Sequence, residues 1–353
     1  MAPVLRVIEP GPLTTVQDLG RYGYQSRGVP VSGVMDPVAL RLLNRLVGNP
    51  DDAAGLEATL VGPTLVVEAE AEGGVLVALG GAECDATADG MPVPPYRATW
   101  LPDGCRLVIG PARAGLRPIL AVAGGIDVPV VLGSRSTFLR GAFGGLGGRA
   151  LAPGDRVPVG VPVDPQGVSG RDGLALPPSA RPPLETAVTL RVVLGPQADR
   201  FTDDAIETLR REPYRLTPES DRMGARLAGP RLAHRRGADI VSDGTTAGSI
   251  QVPESGQPIV LLADRQTTGG YTKIGTVVSA DLPRLAQLVP GGEVRFQVVG
   301  LAEAYRAARE AEAALDAALA RAVRLDGPPP WAASHRLLAH NLISGAVAAG
   351  EEP

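Results

Sequence analysis

Residues 225–232 read ARLAGPRL and residues 58–65 read ATLVGPTL. The echo has company. LRV at 5–7 returns at 190–192, PILAVA at 118–123 returns as PIVLLA at 258–263, and LAPGDRV at 151–157 returns as LVPGGEV at 288–294. Leu, Val, Gly and Pro are abundant here, so any single pair could be accident. Four pairs in the same order read as two copies of one structural unit. The repeated runs, and others such as TLVVEAEA and VRFQVVG, are short β-branched or apolar stretches closed by Gly, Pro or Asp, which is strand chemistry.

Working outward from the repeat, the first β-barrel-like copy spans 1–160 and carries the longer insertions. A linker with six prolines fills 161–189, and the second copy spans 190–300. An alanine-rich helix is expected over 301–326, with Tyr305, Ala308, Leu315 and Leu319 along one side and Gly327 plus three prolines to stop it. The tail, 327–353, either docks through HRLLAHNLI or stays mobile. Elsewhere DPVALRLLNRLVGN predicts a helix with Asp36 as N-cap, Pro37 at the first position and Gly48 at the end. TDDAIETLRRE and ADLPRLAQLV predict shorter ones. The chain is thus expected to be mainly β with short helices, not an alternating βαβ series.

At 353 residues with a formal net charge of −4 and no basic stripe, nucleic acid is not an expected partner. No apolar run approaches the roughly 20 residues of a membrane span, and MAPVLRVIEPGP lacks the pattern of a signal peptide, so a cytoplasmic location is expected. Cys84 and Cys105, without CxxC or a nearby His, read as reduced thiols and not as a metal site.

If the scaffold repeats, chemistry is sought where the copies diverge. After PILAVA the first copy continues with glycines, whereas after PIVLLA the second continues DRQTTGGYTKIG. That loop holds Lys273, the only lysine against 33 arginines. Asp264 is a candidate to move a proton or orient water. Gln266, Thr267, Thr268 and the amides of Gly269 and Gly270 are candidates for an anion nest, with Tyr271 positioning and Lys273 as a compact positive charge. The competing reading is a glycine-rich hairpin with polar surface residues. A second dense loop, 14–36, offers Gln17, Asp18, Arg21, Tyr24, Gln25 and Ser32 to a ligand. A third, 133–155, offers Ser134, Arg135, Ser136, Thr137 and Arg140, and serves either packing or function. Walker, GxGxxG, GxSxG and HExxH patterns are absent, and a triad built on His234, His335 or His340 is not expected. His234 reads as an exposed turn residue.

GPLTTVQDLGRYGYQSRGVPVSGVMDPVALRLLNRLVGN, GSRSTFLRGAFGGLGGRALAPGD and ADRQTTGGYTKIGTVVSADL together resemble the allophanate hydrolase subunit 2 family, over about residues 1–300. This family includes the C component of 5-oxoprolinase, an antagonist of a histidine-kinase inhibitor, and half of the urea carboxylase carboxyltransferase domain. The resemblance implies cyclophilin-like β-barrel subdomains, which fits the repeat. It implies a subunit 1 homologue (the B component) that shares the active site, and a LamB/YcsF-type partner (the A component). The implied reaction opens the lactam 5-oxo-L-proline to glutamate, driven by ATP. A carboxyltransferase half working with separate biotin proteins, or a non-catalytic regulator, are the alternatives. No biotinyl MKM-type sequence or ATP-grasp-sized region is present, so covalent biotin is not expected on this chain. On this reading Lys273 and Arg21 would bind anionic groups.

Overall fold

A computed structural model describes residues 2–70 and 73–325. The tail, with His335 and His340, lies outside them. The LRV tripeptide sets the same in–out–in pattern in both copies: Leu5, Val7, Leu190 and Val192 are buried, while Arg6 and Arg191 between them are only half-buried. This is the period of two that a strand with one apolar face must show. The expected mainly β fold is observed. The first unit is a nine-stranded sheet whose main path runs 14–17, 55–58, 106–122, 64–68, 4–9, 156–158. The second is a closed barrel of seven strands, 187–194, 273–277, 249–251, 259–261, 224–228, 214–216 and 293–298.

The echo at PILAVA and PIVLLA marks a repeated antiparallel ladder. Leu56 pairs with Leu120 in the first unit, and Ala225 with Val260 in the second. Matching the letters aligns Ala58 with Ala225, so the structural register is displaced by two residues. A shift of two keeps every side chain on its own face, which a shift of one would not. The copies differ at closure. Strand Val4–Glu9 pairs antiparallel with Arg156–Pro158, whereas Ala187–Leu194 pairs parallel with Glu293–Val298.

The continuous apolar run GVLVALGG has a physical cause. It lies in the first half of the long strand Gly74–Ala88, between Ala98–Pro102 and the end of Arg106–Val122, and both faces of that half are covered. Val75, Val77 and Leu79 enter the core of the first unit, while Leu76 and Ala78 face helix α1 (Pro37–Val47). Asp36 caps α1 by accepting from the Ala39 amide, and Gly48 ends it at φ +85°, as expected. Leu40, Leu42, Leu43 and Leu46 are essentially inaccessible. Truncating Leu43 to Ala would cost about 2–5 kcal/mol in a core packed this way. Helices α2 (Asp203–Arg211) and α3 (Leu282–Gln287) occur where TDDAIETLRRE and ADLPRLAQLV placed them.

Three expectations need correction. The last helix, α4 (Leu301–Ala320), stops short of 326, because Val323–Arg324 pairs with Leu174–Ala175 and that ladder takes the backbone out of the helix. Its buried residues are Ala307 and Leu315, and Tyr305 is exposed. His234 is half-buried and no surface turn residue: its ring stacks on Phe201 at 4.7 Å, and Nε2 lies 3.1 Å from the Val252 carbonyl. The 161–189 stretch contributes Val168 and the fully buried Leu176 to the core around α1. Cys84 and Cys105 are free thiols.

Candidate functional site

The two units meet through a buried arginine. Arg222, just before strand Gly224–Ala228, donates from Nε and Nη2 to Asp264 at 2.9 and 3.2 Å, from Nη1 to Glu57 of the first unit, and from Nη2 to the Gly33 carbonyl at 2.6 Å. Glu57 also accepts from the Met35 amide at 2.6 Å. Burial would depress the Arg222 guanidinium, but the Glu57 and Asp264 charges prevail and raise it above its ordinary value. Both Asp264 oxygens are therefore engaged. Asp264 thus anchors the arginine that ties the units and is not an open proton acceptor. Gln287 of α3 adds a second tie, donating to Asp36 at 2.8 Å and accepting from the Leu116 and Arg117 amides.

Loop 18–36 folds back on itself, with the Arg21 amide bonded to Val31 O and the Val34 amide to Asp18 O, both at 2.8 Å. Asp18 gathers the loop: it accepts from the Gly20 amide, the Ser134 and Ser136 hydroxyls and the Arg135 amide. Arg21 is wholly buried, donates from Nη2 to the Ser136 carbonyl, lies 4.9 Å from the Phe143 ring centroid and has no partner among the described residues for Nε and Nη1. Gln17 is buried against Thr15 and the Thr137 carbonyl. Tyr24 caps a short helical turn, and Arg135 reaches outward to Asp127 at 2.8 Å. Thus Gln17, Asp18, Arg21, Ser134 and Ser136 come together under the loop and join it to the glycine-rich 133–148 segment.

Ser32 is different. Its backbone sits at φ +56°, its amide bonds to Ala263 O at 3.1 Å, and its hydroxyl is enclosed without a partner among the described residues. It lines a cleft of about 660 Å³ between the two units, which falls within the usual range for small-molecule sites. Gln25 and Tyr22 line the same cleft, as do Thr246, Arg265 and the α1–α4 wall. That wall is clipped by ion pairs: Arg41 binds Glu312 through two hydrogen bonds of 2.8 and 2.9 Å, and both Arg41 and Arg45 hold Asp51. Arg265 is 5% exposed. Among the described residues its Nη1 reaches only the Leu262 carbonyl, at 3.3 Å, and its Nε has no partner. Burial pulls this guanidinium below its ordinary value, with the Tyr22 phenol acting against that.

Arg265 lies inside the DRQ triplet, where sequence reasoning favours its two neighbours. The available signal is its place between Asp264 and Gln266, at a strand end where the two copies diverge. Tyr22 and Thr246 leave no comparable mark.

The Lys273 loop forms neither a nest nor a local hairpin. Thr268–Tyr271 pairs with Asp239–Gly244, so Gly269 sits opposite Asp243 in an extended ladder and its amides do not converge as a nest. A Cβ at Gly269 would displace the Gln251 side-chain amide. Gln266 donates to Gln251 at 3.1 Å, the Thr267 carbonyl accepts from the Thr245 amide, and Tyr271 is partly exposed. Lys273 is 2% exposed, and its ammonium binds Asp243 at 2.8 Å. It does not line the interdomain cleft. The candidate residues therefore separate into a cleft group (Gln25, Ser32) and a group on strands 268–271 and 273–277 (Lys273 and its neighbours), with Asp264 beside the tie between units.

A family model described as carboxyltransferase domain, subdomain A and B, matches residues 27–298. The chain is 40% identical over 307 residues to the C component of 5-oxoprolinase from Escherichia coli, covering 87% of this chain and 95% of that one. It is 35% identical to the C component of 5-oxoprolinase from Haemophilus influenzae, over 86% and 93% of the two chains. The crystal structure of the K. lactis urea amidolyase superposes with a TM-score of 0.81 at 30% identity, covering 90% of this chain but 20% of that one, so the chain spans about a fifth of that enzyme. This chain belongs to the carboxyltransferase domain, subdomain A and B, family, and within it is similar to the C component of 5-oxoprolinase along nearly its whole length.

Proposed function

We propose that the chain is one subunit of an ATP-dependent 5-oxoprolinase, working with a subunit 1 homologue (the B component) and a LamB/YcsF-type partner (the A component). The similarity to the C component of 5-oxoprolinase over 95% of that protein is the observation that carries this reading. A lactam carbonyl resists attack by water because the ring nitrogen donates into it, so ring opening is coupled to ATP hydrolysis. This chain's contribution is positional. An interdomain cleft with buried, unpartnered donors fixes a small substrate at low reorganisation cost, and the walls limit access of bulk water.

A triphosphate is poorly matched to this cleft. Arg41 is already neutralised by Asp51 and Glu312, and those two carboxylates are themselves part of the wall. This reading therefore puts the ATP site on the partner subunits. It is tested by reconstituting the chain with both partners and measuring ADP release with and without 5-oxo-L-proline. Release that requires the lactam and yields glutamate is expected. Release indifferent to the lactam would favour a regulatory binding role instead.

The superposition on urea amidolyase supports a second reading, a carboxyltransferase half served by separate biotin proteins. Transfer of a carboxyl group from free carboxybiotin by the chain and its subunit 1 partner would favour it.

A further inference from the structure

We infer that the interdomain cleft binds the carboxylate of a small organic acid, held by the Arg265 guanidinium and the Ser32 hydroxyl. Both residues are 5% exposed, and both carry an enclosed polar atom without a partner among the described residues, Nε in Arg265 and Oγ in Ser32. The Ser32 amide bonds to Ala263 O, which brings the two residues to one wall of the cleft. The contrast with Arg222 is informative. That arginine is equally buried but is met by two carboxylates, whereas no carboxylate among the described residues pairs with Arg265. A buried guanidinium without a counter-ion is costly, and a ligand carboxylate supplies both the charge and a matching pair of acceptors.

The charge balance selects the class of anion. Arg265 brings one uncommitted positive charge, and elsewhere in the lining Arg41 is already committed to Asp51 and Glu312. A monoanion matches the one free guanidinium, whereas a phosphate dianion or a nucleotide would bring negative charge that no free cation of the lining compensates. Val31, Val34 and Leu262 give the remaining wall an apolar character suited to a compact ring. The choice of a lactam carboxylate in particular rests on the oxoprolinase reading, while the carboxylate site itself does not.

Binding is measured by titration calorimetry and ligand-observed NMR, on the full chain and on its complex with both partners. The probes are 5-oxo-L-proline, its uncharged ring 2-pyrrolidinone, a panel of small carboxylic acids of other shapes, and inorganic phosphate. The expected result is binding of 5-oxo-L-proline that weakens at least tenfold with Arg265→Gln, weakens less with Ser32→Ala, and is at least tenfold tighter than that of 2-pyrrolidinone. Unchanged near-ultraviolet circular dichroism in each variant checks the fold. Arg265-dependent binding of other carboxylates, but not of 5-oxo-L-proline, keeps the site and removes the oxoprolinase reading. Equal affinity for 2-pyrrolidinone, no effect of Arg265→Gln, phosphate as the preferred ligand, or no carboxylate bound by chain or complex overturns the inference.

Discussion

Arg222 and Asp264, each 5% exposed, share two hydrogen bonds of 2.9 and 3.2 Å at the junction of the two units, and the same guanidinium reaches Glu57 across that junction. Removing one member of such a group leaves charge buried without compensation, which is far more costly than the pair is worth in place. Arg222→Ala is therefore expected to lower stability by about 3–5 kcal/mol in urea denaturation. Adding Glu57→Gln should restore part of the loss, because one of the two stranded carboxylates is then neutral. Equal midpoints for wild type and Arg222→Ala would show that the junction does not depend on this tie.

Asp36 predicts a pH dependence of stability. Burial pushes its carboxyl up to about 6, opposed by bonds from the Ala39 amide and Gln287. The unfolded value is about 3.9, so between the two the fold holds a proton that the unfolded chain has released. The stabilisation is complete below about pH 4 and is lost as pH rises through 6, by up to roughly 3 kcal/mol. Asp36→Asn should flatten that part of the stability profile while keeping the cap. If the substituted protein keeps the wild-type slope between pH 4 and 6, the titration belongs to another group.

Gly33 is held at φ +88°, and a Cβ there would stand 2.9 Å from the Gly20 amide nitrogen. Gly33→Ala is expected to cost about 1–2 kcal/mol from the left-handed backbone alone. The contact with Gly20 adds to this and shifts the neighbouring Ser32. Melting temperature and affinity for 5-oxo-L-proline should fall together. A variant that loses stability at unchanged affinity would separate Ser32 from the ligand.

Lys273 is the most conspicuous residue of the sequence, yet its ammonium is occupied by Asp243. Lys273→Met is expected to leave the affinity of the cleft for small carboxylates within twofold. A tenfold loss in the same calorimetric titration would return this lysine to the site.

The scaffold was legible because its signal is repeated. In–out alternation in LRVIE and LRVVL, Asp36 and Gly48 around α1, and four ordered echoes each report on local geometry that the neighbouring residues enforce. The site was less legible, because its chemistry depends on what long-range partners leave free. Asp264, Arg265 and Lys273 are equally polar and lie within ten positions of one another. Only the fold decides that Arg222 takes Asp264, Asp243 takes Lys273, and the Arg265 Nε is left over. The glycines of TTGG likewise suggest a nest until the 239–244 strand is placed beside them. In α4, the helical pattern runs on past Ala320 because the competing strand partner at 174–175 is nearly 150 residues away in sequence.

Kinetics of the reconstituted complex with Arg265→Gln measure the account most directly. The Michaelis constant for 5-oxo-L-proline should rise at least tenfold, the size of a lost charge-assisted hydrogen bond, while that for ATP stays within twofold. A raised constant for ATP with an unchanged one for the lactam would contradict it.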